Sequence, residues 1–221
     1  MPRRFRILPK TGVFHILTRG NNHRKVFIDD EDYCFYIKLL EECKSEHKSL
    51  LYHYCLMPNH IHLILEITAK TNLSVLMKQI NLRYFYHFKK RYSYDGHLWQ
   101  GRFKSLLIEK DRYLIACARY IELNPVRAKM VDSAEKYLYS SFRFYACGFK
   151  NSVVDSNPLY ATLGRTSQSR QSNYQKFLEE ESRVNLNLRF YGSNGFIKHM
   201  EERFGIPNLK GKRGRPFKVN K

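Results

Sequence analysis

Two periodicities alternate along the first 125 residues of the chain. Four stretches rich in β-branched and aromatic residues, each bounded by turn-forming residues, have the pattern of strands. Three longer stretches repeat apolar residues at helical spacing behind polar residues suited to helix starts. The predicted strands are residues 13–20, 49–57, 60–67 and 97–109. The predicted helices are residues 29–48, 72–92 and 111–123.

This order, β-α-β-β-α-β followed by an extra helix, predicts an α+β fold of the ferredoxin-like type, with a sheet carrying helices on one face. After the helical turn near residues 124–131 the pattern weakens. Residues 151–158 and 165–173 are polar and linker-like, and short helices are predicted at 174–182 and 195–204. We therefore expect a main domain over residues 1–149, a small helical unit over 150–208 and a basic tail over 209–221.

Charge gives the first indication of a partner. The chain of 221 residues has 39 Lys and Arg against 20 Asp and Glu, a formal net charge of +19. Every charged residue before Asp29 is basic, residues 84–104 interleave Lys and Arg with aromatic rings, and residues 209–221 hold six basic residues and no acid. Cations bind phosphates and aromatic rings stack on unpaired bases, so this mixture favours nucleic acid, single-stranded or distorted.

Membrane and secretory classes are disfavoured. No apolar run approaches the roughly 18 residues of a spanning helix, and the basic N-terminus lacks the apolar stretch of a signal peptide. Five cysteines occur without a CxxC pair, so neither a zinc knuckle nor a disulfide framework is predicted. We expect a soluble, cytoplasmic and nucleoid-associated protein with no membrane partner.

A histidine pair is the first candidate for chemistry. His60 and His62 lie two residues apart in a predicted strand, so their side chains share one face of the sheet. Two imidazoles side by side can bind a divalent cation, although they need a third ligand. The alternative is a pair of exposed histidines on an amphipathic strand.

A tyrosine near the end of the last predicted helix is the second candidate. Tyr120 and Asn124 lie four residues apart on one helix face. A tyrosine hydroxyl can attack a phosphodiester when a metal offsets the phosphate charge, and the Asn124 amide oxygen could complete a metal site with the two histidines. Two alternatives stay open: Tyr120 packs in the core, and Asn124 caps the helix that begins at Pro125.

Several motifs in fixed order resemble one known family. The sequences LMPNHIHLIL (56–65) and RYIELNPVRAKMV (119–131) are similar to those of the REP-associated tyrosine transposases, which belong to the single-tyrosine HUH (His-hydrophobe-His) transposases. The similarity extends to further motifs across residues 1–145 and is far more specific than a lone His-x-His. These further motifs are MPRRFRIL (1–8), TRGNNHRKVF (18–27), GHLWQGRFKS (96–105) and YSSFRFY (139–145).

The resemblance implies an HUH nuclease fold and a catalytic role for residues 1–149. It assigns His60 and His62 as ligands of Mg²⁺ or Mn²⁺, Tyr120 as the nucleophile and Asn124 as the third metal ligand, a position where relatives often carry glutamine. The implied reaction cleaves single-stranded DNA in hairpins of imperfect, REP-like palindromes. It leaves a 5′-phosphotyrosine link and a free 3′-hydroxyl, then transfers the strand without a nucleotide cofactor. Relatives act as monomers or dimers, so either state is open.

Further residues are candidates for contacts with DNA. Five arginines are predicted to bind phosphates and two aromatic residues to stack on bases. In the tail, the RGRP segment resembles an AT-hook, whose arginines enter the minor groove of A·T-rich duplex; a generic basic tail is the alternative. The predicted contacts are Arg19, Arg24, Arg83, Arg102, Arg127, Trp99 and Phe103, with Arg213 and Arg215 in the tail.

Two rival functions use the same scaffold differently. A hairpin-binding regulator would bind DNA equally well without Tyr120 and would form no covalent adduct. A metal-independent RNA phosphoesterase needs two His-x-Thr/Ser motifs, and this chain has a single His-x-His instead.

Metal ligation requires neutral imidazoles. The transposase hypothesis therefore predicts that activity falls as the pH drops through the ordinary histidine pKa of about 6.5.

Overall fold

The computed structural model describes residues 8–179, 184–185 and 188–209, and these ranges form one mixed sheet with helices on both faces. The strands are β1 (Gly12–Arg19), β2 (Ser49–Met57), β3 (His60–Ile67), β4 (Lys104–Ile108) and β5 (Phe190–Tyr191). The helices are α1 (Asp30–Glu46), α2 (Leu73–Tyr92), α3 (Arg112–Glu122), α4 (Asn124–Arg127), α5 (Phe142–Cys147), α6 (Ser167–Glu179) and α7 (Asn194–Phe204).

The strand order β2-β3-β1-β4-β5 confirms the predicted fold class. The first four strands pair antiparallel in the ferredoxin-like order, and β5 adds a short parallel pairing to β4. The predicted fourth strand was too long, because residues 97–103 form a loop instead. Gly96 and Gly101 adopt positive φ angles of 106° and 81°, which breaks the extended backbone before Lys104.

Strand alternation sends the side chains of β3 to two different cores. Ile61, Leu63 and Leu65 pack with α1 and α2, as the sequence predicts, whereas Ile64 on the opposite face packs with α3. Each of these helices begins at a capping side chain: Asp29 for α1, Asn72 for α2 and Asp111 for α3. These caps fix where each helix leaves its loop and therefore which residues face the sheet.

The extra helix α3 closes the second face of the sheet. Leu114, Cys117, Ala118 and Ile121 are fully or almost fully buried against that face. The expectation that the two histidines lie on an open sheet face is therefore wrong, and His62 is only 2% exposed. The histidines instead lie between the sheet and the helix that carries Tyr120.

The chain beyond α5 packs onto the edge of the sheet. Val153 and Val154 are buried, and the Asp155 carboxylate accepts hydrogen bonds from the Leu51 amide and the Lys44 ammonium, both at 2.8 Å. The linker-like expectation for residues 151–158 is therefore wrong. Residues 165–173 are also not a linker, since α6 starts at Ser167; α7 matches its prediction. Within the described ranges, no helix is both long and apolar enough to cross a membrane.

Candidate active site

Adjacent strands place three histidines on one face of the sheet. In the β1–β3 register, Arg19 lies opposite His60 and Leu17 opposite His62. Because alternate residues share a face, His15 of β1 lies on the same side as both histidines of β3. His15 Nε2 is 2.7 Å from His62 Nδ1, and the two buried rings stack with their centres 5.0 Å apart. A buried imidazole pair thus lies at the centre of this face.

Tyr120 of α3 lies directly over this pair. The centre of its half-buried ring is 6.1 Å from that of His62 and 6.3 Å from that of His15, both edge to face. The ring of His60 lies 4.9 Å from that of His62. The structure therefore brings together His60, His62 and Tyr120, which the sequence analysis selected from motifs almost sixty residues apart.

Burial and charge set the protonation of the cluster. Burial, with Arg19 nearby, lowers the pKa of His60 to about 4, and burial beside His15 and His60 lowers the pKa of His62 well below its usual value. Burial also raises the pKa of Tyr120, an effect that Arg127 and Arg19 oppose. At neutral pH the cluster therefore presents neutral imidazoles and a protonated phenol beside fixed positive charges.

Two predicted arginines lie at the tyrosine. The Arg127 guanidinium lies 5.2 Å from the centre of the Tyr120 ring and donates a hydrogen bond to the Tyr120 carbonyl at 2.7 Å. Arg19 extends from the end of β1, and its Nε is buried with no hydrogen-bond partner among the residues described. A buried donor without an acceptor is costly, so this position favours an incoming anion.

Asn124 has a role that neither sequence-based alternative foresaw. It lies inside α4 and makes no side-chain cap to that helix, so the prediction that it caps the following helix is wrong. Its Nδ2 instead donates to the carbonyls of Tyr120 at 3.1 Å and Ile121 at 3.3 Å, which closes the C-terminal end of α3. The side chain is thus fixed one turn beyond Tyr120, and its role as a metal ligand stays a prediction.

Comparison with known proteins decides the family. The family model described as "Transposase IS200 like" matches residues 10–124, from β1 through Asn124. The chain belongs to the IS200-like transposase family. A Haemophilus influenzae protein named as a REP-associated tyrosine transposase is 27% identical over 135 residues, which cover 53% of this chain and 76% of the relative. The predicted family is therefore confirmed.

A solved structure shares the fold of this transposase. The solved protein is described as a REP-associated tyrosine transposase bound to a REP hairpin, and its TM-score with this chain is 0.57 at 18% identity. The match covers 71% of this chain and 92% of the other. At this identity the likeness establishes the fold and nothing further.

Among the other predicted DNA contacts, those within the described ranges belong to other parts of the fold. Arg24 stacks on the Tyr94 ring at 4.4 Å, and Arg83 forms an ion pair with Glu42 of α1 at 2.5 Å on the opposite face of the sheet. Trp99, Arg102 and Phe103 lie together in the loop before β4. Arg213 and Arg215, with the rest of the tail from residue 210, lie outside the described residues.

Two features near Tyr120 were not predicted from the sequence: His15 and a second polar cluster on α3. Glu122, two residues beyond Tyr120, is completely buried. Its carboxyl group contacts His53 Nδ1 at 3.0 Å and accepts hydrogen bonds from the hydroxyls of Tyr174, at 2.7 Å, and Ser141. The alternation of Val13, His15 and Leu17 along β1 could have indicated that His15 lies on one face of the sheet. No local signal indicates partners of Glu122 that are about 20 to 70 residues away in sequence.

Proposed function

We propose that this transposase cleaves and rejoins single-stranded DNA at hairpin-forming repeats, with Tyr120 as the nucleophile and a divalent metal held by His60 and His62. One observation carries the proposal: a half-buried tyrosine ring lies about 6 Å from the buried imidazole of His62, whose burial keeps it neutral. Neutral imidazoles are able to ligate a metal, and a tyrosine beside them can reach a phosphate bound to it.

The donor chemistry of the site fits Mg²⁺ or Mn²⁺ held with DNA. The short contact between His15 and His62 needs one N–H, and when His62 Nδ1 donates to His15 Nε2, its own Nε2 is left as a ligand atom. In the described ranges, no three His, Cys, Asp or Glu side chains form a metal site. A third ligand would come from the Asn124 amide oxygen or from the scissile phosphate. When bound, the metal would offset the charge of that phosphate.

The residues around Tyr120 account for the remaining steps. Its hydroxyl oxygen attacks the phosphorus and forms the new O–P bond, the bond from phosphorus to the 3′-oxygen breaks, and net transfer of the phenolic proton to that oxygen gives the 3′-hydroxyl. The products are a 5′-phosphotyrosine and a 3′-hydroxyl, and the reverse reaction rejoins a strand without an external energy source. Arg127 and Arg19 favour the phenolate and the phosphate, because both carry negative charge.

Family membership and charge support the choice of substrate. The relative of known structure is bound to a REP hairpin, and this chain carries a net charge of +19. Arg24, Trp99 and Arg102 lie in loops at the same end of β1 as Arg19, where they can contact a strand that leaves the site. The proposed contact of the tail with A·T-rich duplex remains a separate prediction.

A covalent-adduct assay tests the proposal. Labelled hairpin oligonucleotides from the sequence flanking the gene are incubated with protein and Mn²⁺ or Mg²⁺, then separated on a denaturing gel. We expect an adduct with the wild type that disappears in EDTA and in Tyr120→Phe. Tyr113→Phe, two turns earlier on α3, should keep the adduct. An adduct that survives in Tyr120→Phe would overturn the assignment, and hairpin binding without any adduct would favour the non-cleaving regulator.

A further inference from the structure

A cavity of about 510 Å³ opens between α2 and the loop before β4, on the opposite face of the sheet from Tyr120. Its walls are mostly apolar and aromatic, including Met77, Leu82, Phe85, Trp99 and Phe103. Sites for small organic molecules have this size and lining. Flat aromatic walls are also the surfaces on which unpaired nucleic-acid bases stack.

One polar group within this cavity lacks a partner. Asn81 lines the wall, and its Oδ1 is buried with no hydrogen-bond partner among the residues described. Its backbone carbonyl is already used, since it accepts the Trp99 indole N–H at 2.9 Å. A buried acceptor left unpaired costs free energy, so a rotation of this amide that presents Oδ1 to a donor on a ligand in the cavity would be favourable. An asparagine amide pairs in two hydrogen bonds with adenine, through its exocyclic amino group and the adjacent ring nitrogen.

The charge at the rim indicates the rest of the ligand. Lys78, His97 and Arg102 lie at the exposed edge, and among the described residues no acidic side chain lines the cavity. An apolar interior with a basic rim is complementary to a base that carries a phosphate. An uncharged apolar ligand would form no ion pair with these basic side chains.

The loop that forms one wall is hydrogen-bonded to the end of β1. The Gln100 amide donates to the Arg19 carbonyl at 2.8 Å, and the Asn21 amide donates to the Leu98 carbonyl at 2.7 Å. Arg19 in turn lies opposite His60 in the sheet. The cavity wall and the candidate active site are therefore both connected to one strand end, that of β1.

We propose that this cavity binds one unpaired base of the single-stranded flank beside the hairpin, with adenine bound best. Asn81 Oδ1 accepts a hydrogen bond from the base, the aromatic wall stacks on its ring, and Lys78 and Arg102 contact its phosphate. The proposal rests on the proposed function, because it takes single-stranded DNA as the substrate. It adds a determinant of which flanking sequence is cleaved.

An abasic scan tests this pocket. Hairpins with a single-stranded flank carry one abasic site at each position in turn, and affinity is measured by fluorescence anisotropy with full-length protein. We expect one position at which loss of the base weakens binding roughly 5- to 150-fold. At that position, adenine should bind better than the other three bases. Asn81→Ala should abolish the preference for adenine and retain most of the stacking contribution.

Two tryptophan substitutions on α2 provide the matched comparison. Leu82 lines the cavity and is 43% exposed, whereas Val75 is 47% exposed on the same helix and does not line it. Leu82→Trp should fill the cavity and remove the effect of the abasic site, while Val75→Trp should leave the effect intact. Thermal unfolding of both variants establishes that they fold.

The outcomes separate this pocket from the proposed function. If the protein binds the hairpin and an abasic site has the same effect on affinity at every flank position, the base-binding pocket is excluded and the proposed function is not. A single sensitive position that Leu82→Trp does not change would also place the base elsewhere. No affinity for any hairpin would overturn the proposed function and the pocket together.

Discussion

Helix α3 carries two polar clusters, centred on Tyr120 and on Glu122. They differ in whether the buried polar groups find their hydrogen-bond partners within the protein. Around Glu122, a buried carboxyl group is matched by His53, Ser141 and Tyr174, so every partner comes from the protein. Around Tyr120, the neighbours are imidazole and guanidinium groups, including a buried Arg19 Nε without an acceptor among the described residues. The first cluster is satisfied by the fold itself, and the second is suited to an anion from outside.

This contrast separates stability from function on a single helix. The Glu122 cluster ties α3 to β2 through His53, to the start of α5 through Ser141 and to α6 through Tyr174. A helix held at three points keeps the Tyr120 ring in place over the histidines, and a preorganised nucleophile needs less reorganisation to react. Buried polar groups with complete partners stabilise a fold, whereas an unpaired buried donor beside a reactive side chain is suited to binding an anion.

Removing the Glu122 carboxyl group should have the largest effect on the fold. Glu122→Ala leaves His53, Ser141 and Tyr174 buried without their acceptor, and we expect a loss of about 3–5 kcal/mol in the free energy of unfolding. For a chain of this size, that corresponds to a fall of about 6–20 °C in Tm. Tyr120→Phe should change Tm by no more than a few degrees while it abolishes the adduct.

Differential scanning fluorimetry measures this contrast, with Glu202→Ala as the control at an exposed carboxylate. A Tm for Glu122→Ala equal to that of the control would show that the buried cluster does not stabilise α3. A large loss of stability in Tyr120→Phe would contradict the division between the two clusters.

His15 should affect metal binding more than stability. His15→Leu removes the group that orients the His62 ring, and loss of such a partner lowers metal affinity about 10- to 100-fold. His15→Gln keeps an acceptor near His62 Nδ1 and should recover part of the affinity. Titration with Mn²⁺ in the presence of a DNA hairpin measures both variants. Equal affinity in His15→Leu and the wild type would show that His15 does not orient the ligand.

A smaller effect is expected from one hydroxyl in the Glu122 cluster. Tyr174→Phe removes one donor to the carboxyl group and leaves the ring packing intact, so we expect a loss of about 1–2 kcal/mol. Tyr86→Phe, at a ring that is 59% exposed, should have almost no effect. Urea denaturation of the two variants provides the measurement. Equal midpoints would mean that the hydroxyl of Tyr174 is dispensable to the cluster.

The smallest expected effect is on the pH dependence of the free energy of unfolding, and it comes from His60 beside Tyr120. Burial lowers the pKa of His60 from 6.5 to about 4, so between these values the unfolded chain binds a proton that the folded chain does not. The free energy of unfolding should therefore fall as the pH drops from about 6.5 to about 4. In His60→Gln the free energy of unfolding should fall less steeply over the same range. His199→Gln, at an exposed helix position, controls for the loss of one imidazole. Identical slopes for wild type and His60→Gln in metal-free buffer would contradict the depressed pKa.

The same shift revises the pH expectation for activity. From the sequence alone, metal ligation should weaken near the ordinary histidine pKa, about 6.5. Because burial moves the pKa of His60 to about 4 and that of His62 well below its usual value, both imidazoles stay neutral at pH 5. Protonation of these ligands should therefore limit activity only at more acidic pH than the sequence predicts.

Local patterns predicted the elements well and distant contacts poorly. Caps such as Asp111 and the alternation of β3 are properties of neighbouring residues, so the helices, the strands and the face shared by His60 and His62 follow from the sequence. The sequence predicts a strand at the loop before β4 because the aromatic residues there are typical of strands, whereas the structure has a loop in which Gly101 adopts a positive φ. The partners of Glu122 depend on how α6 packs, which no local pattern encodes.

Both edges of the sheet are occupied by hydrogen bonds within the chain. At one edge the β2 amides of Leu51 and Leu56 donate to the Asp155 carboxylate and the Tyr139 carbonyl. At the other, the Phe190 amide of β5 donates to Asn208 Oδ1 at 2.8 Å. Exposed strand edges are the usual route to intermolecular β-sheet and aggregation. The edge amides that already donate within the chain are therefore not available to pair with a strand of another copy.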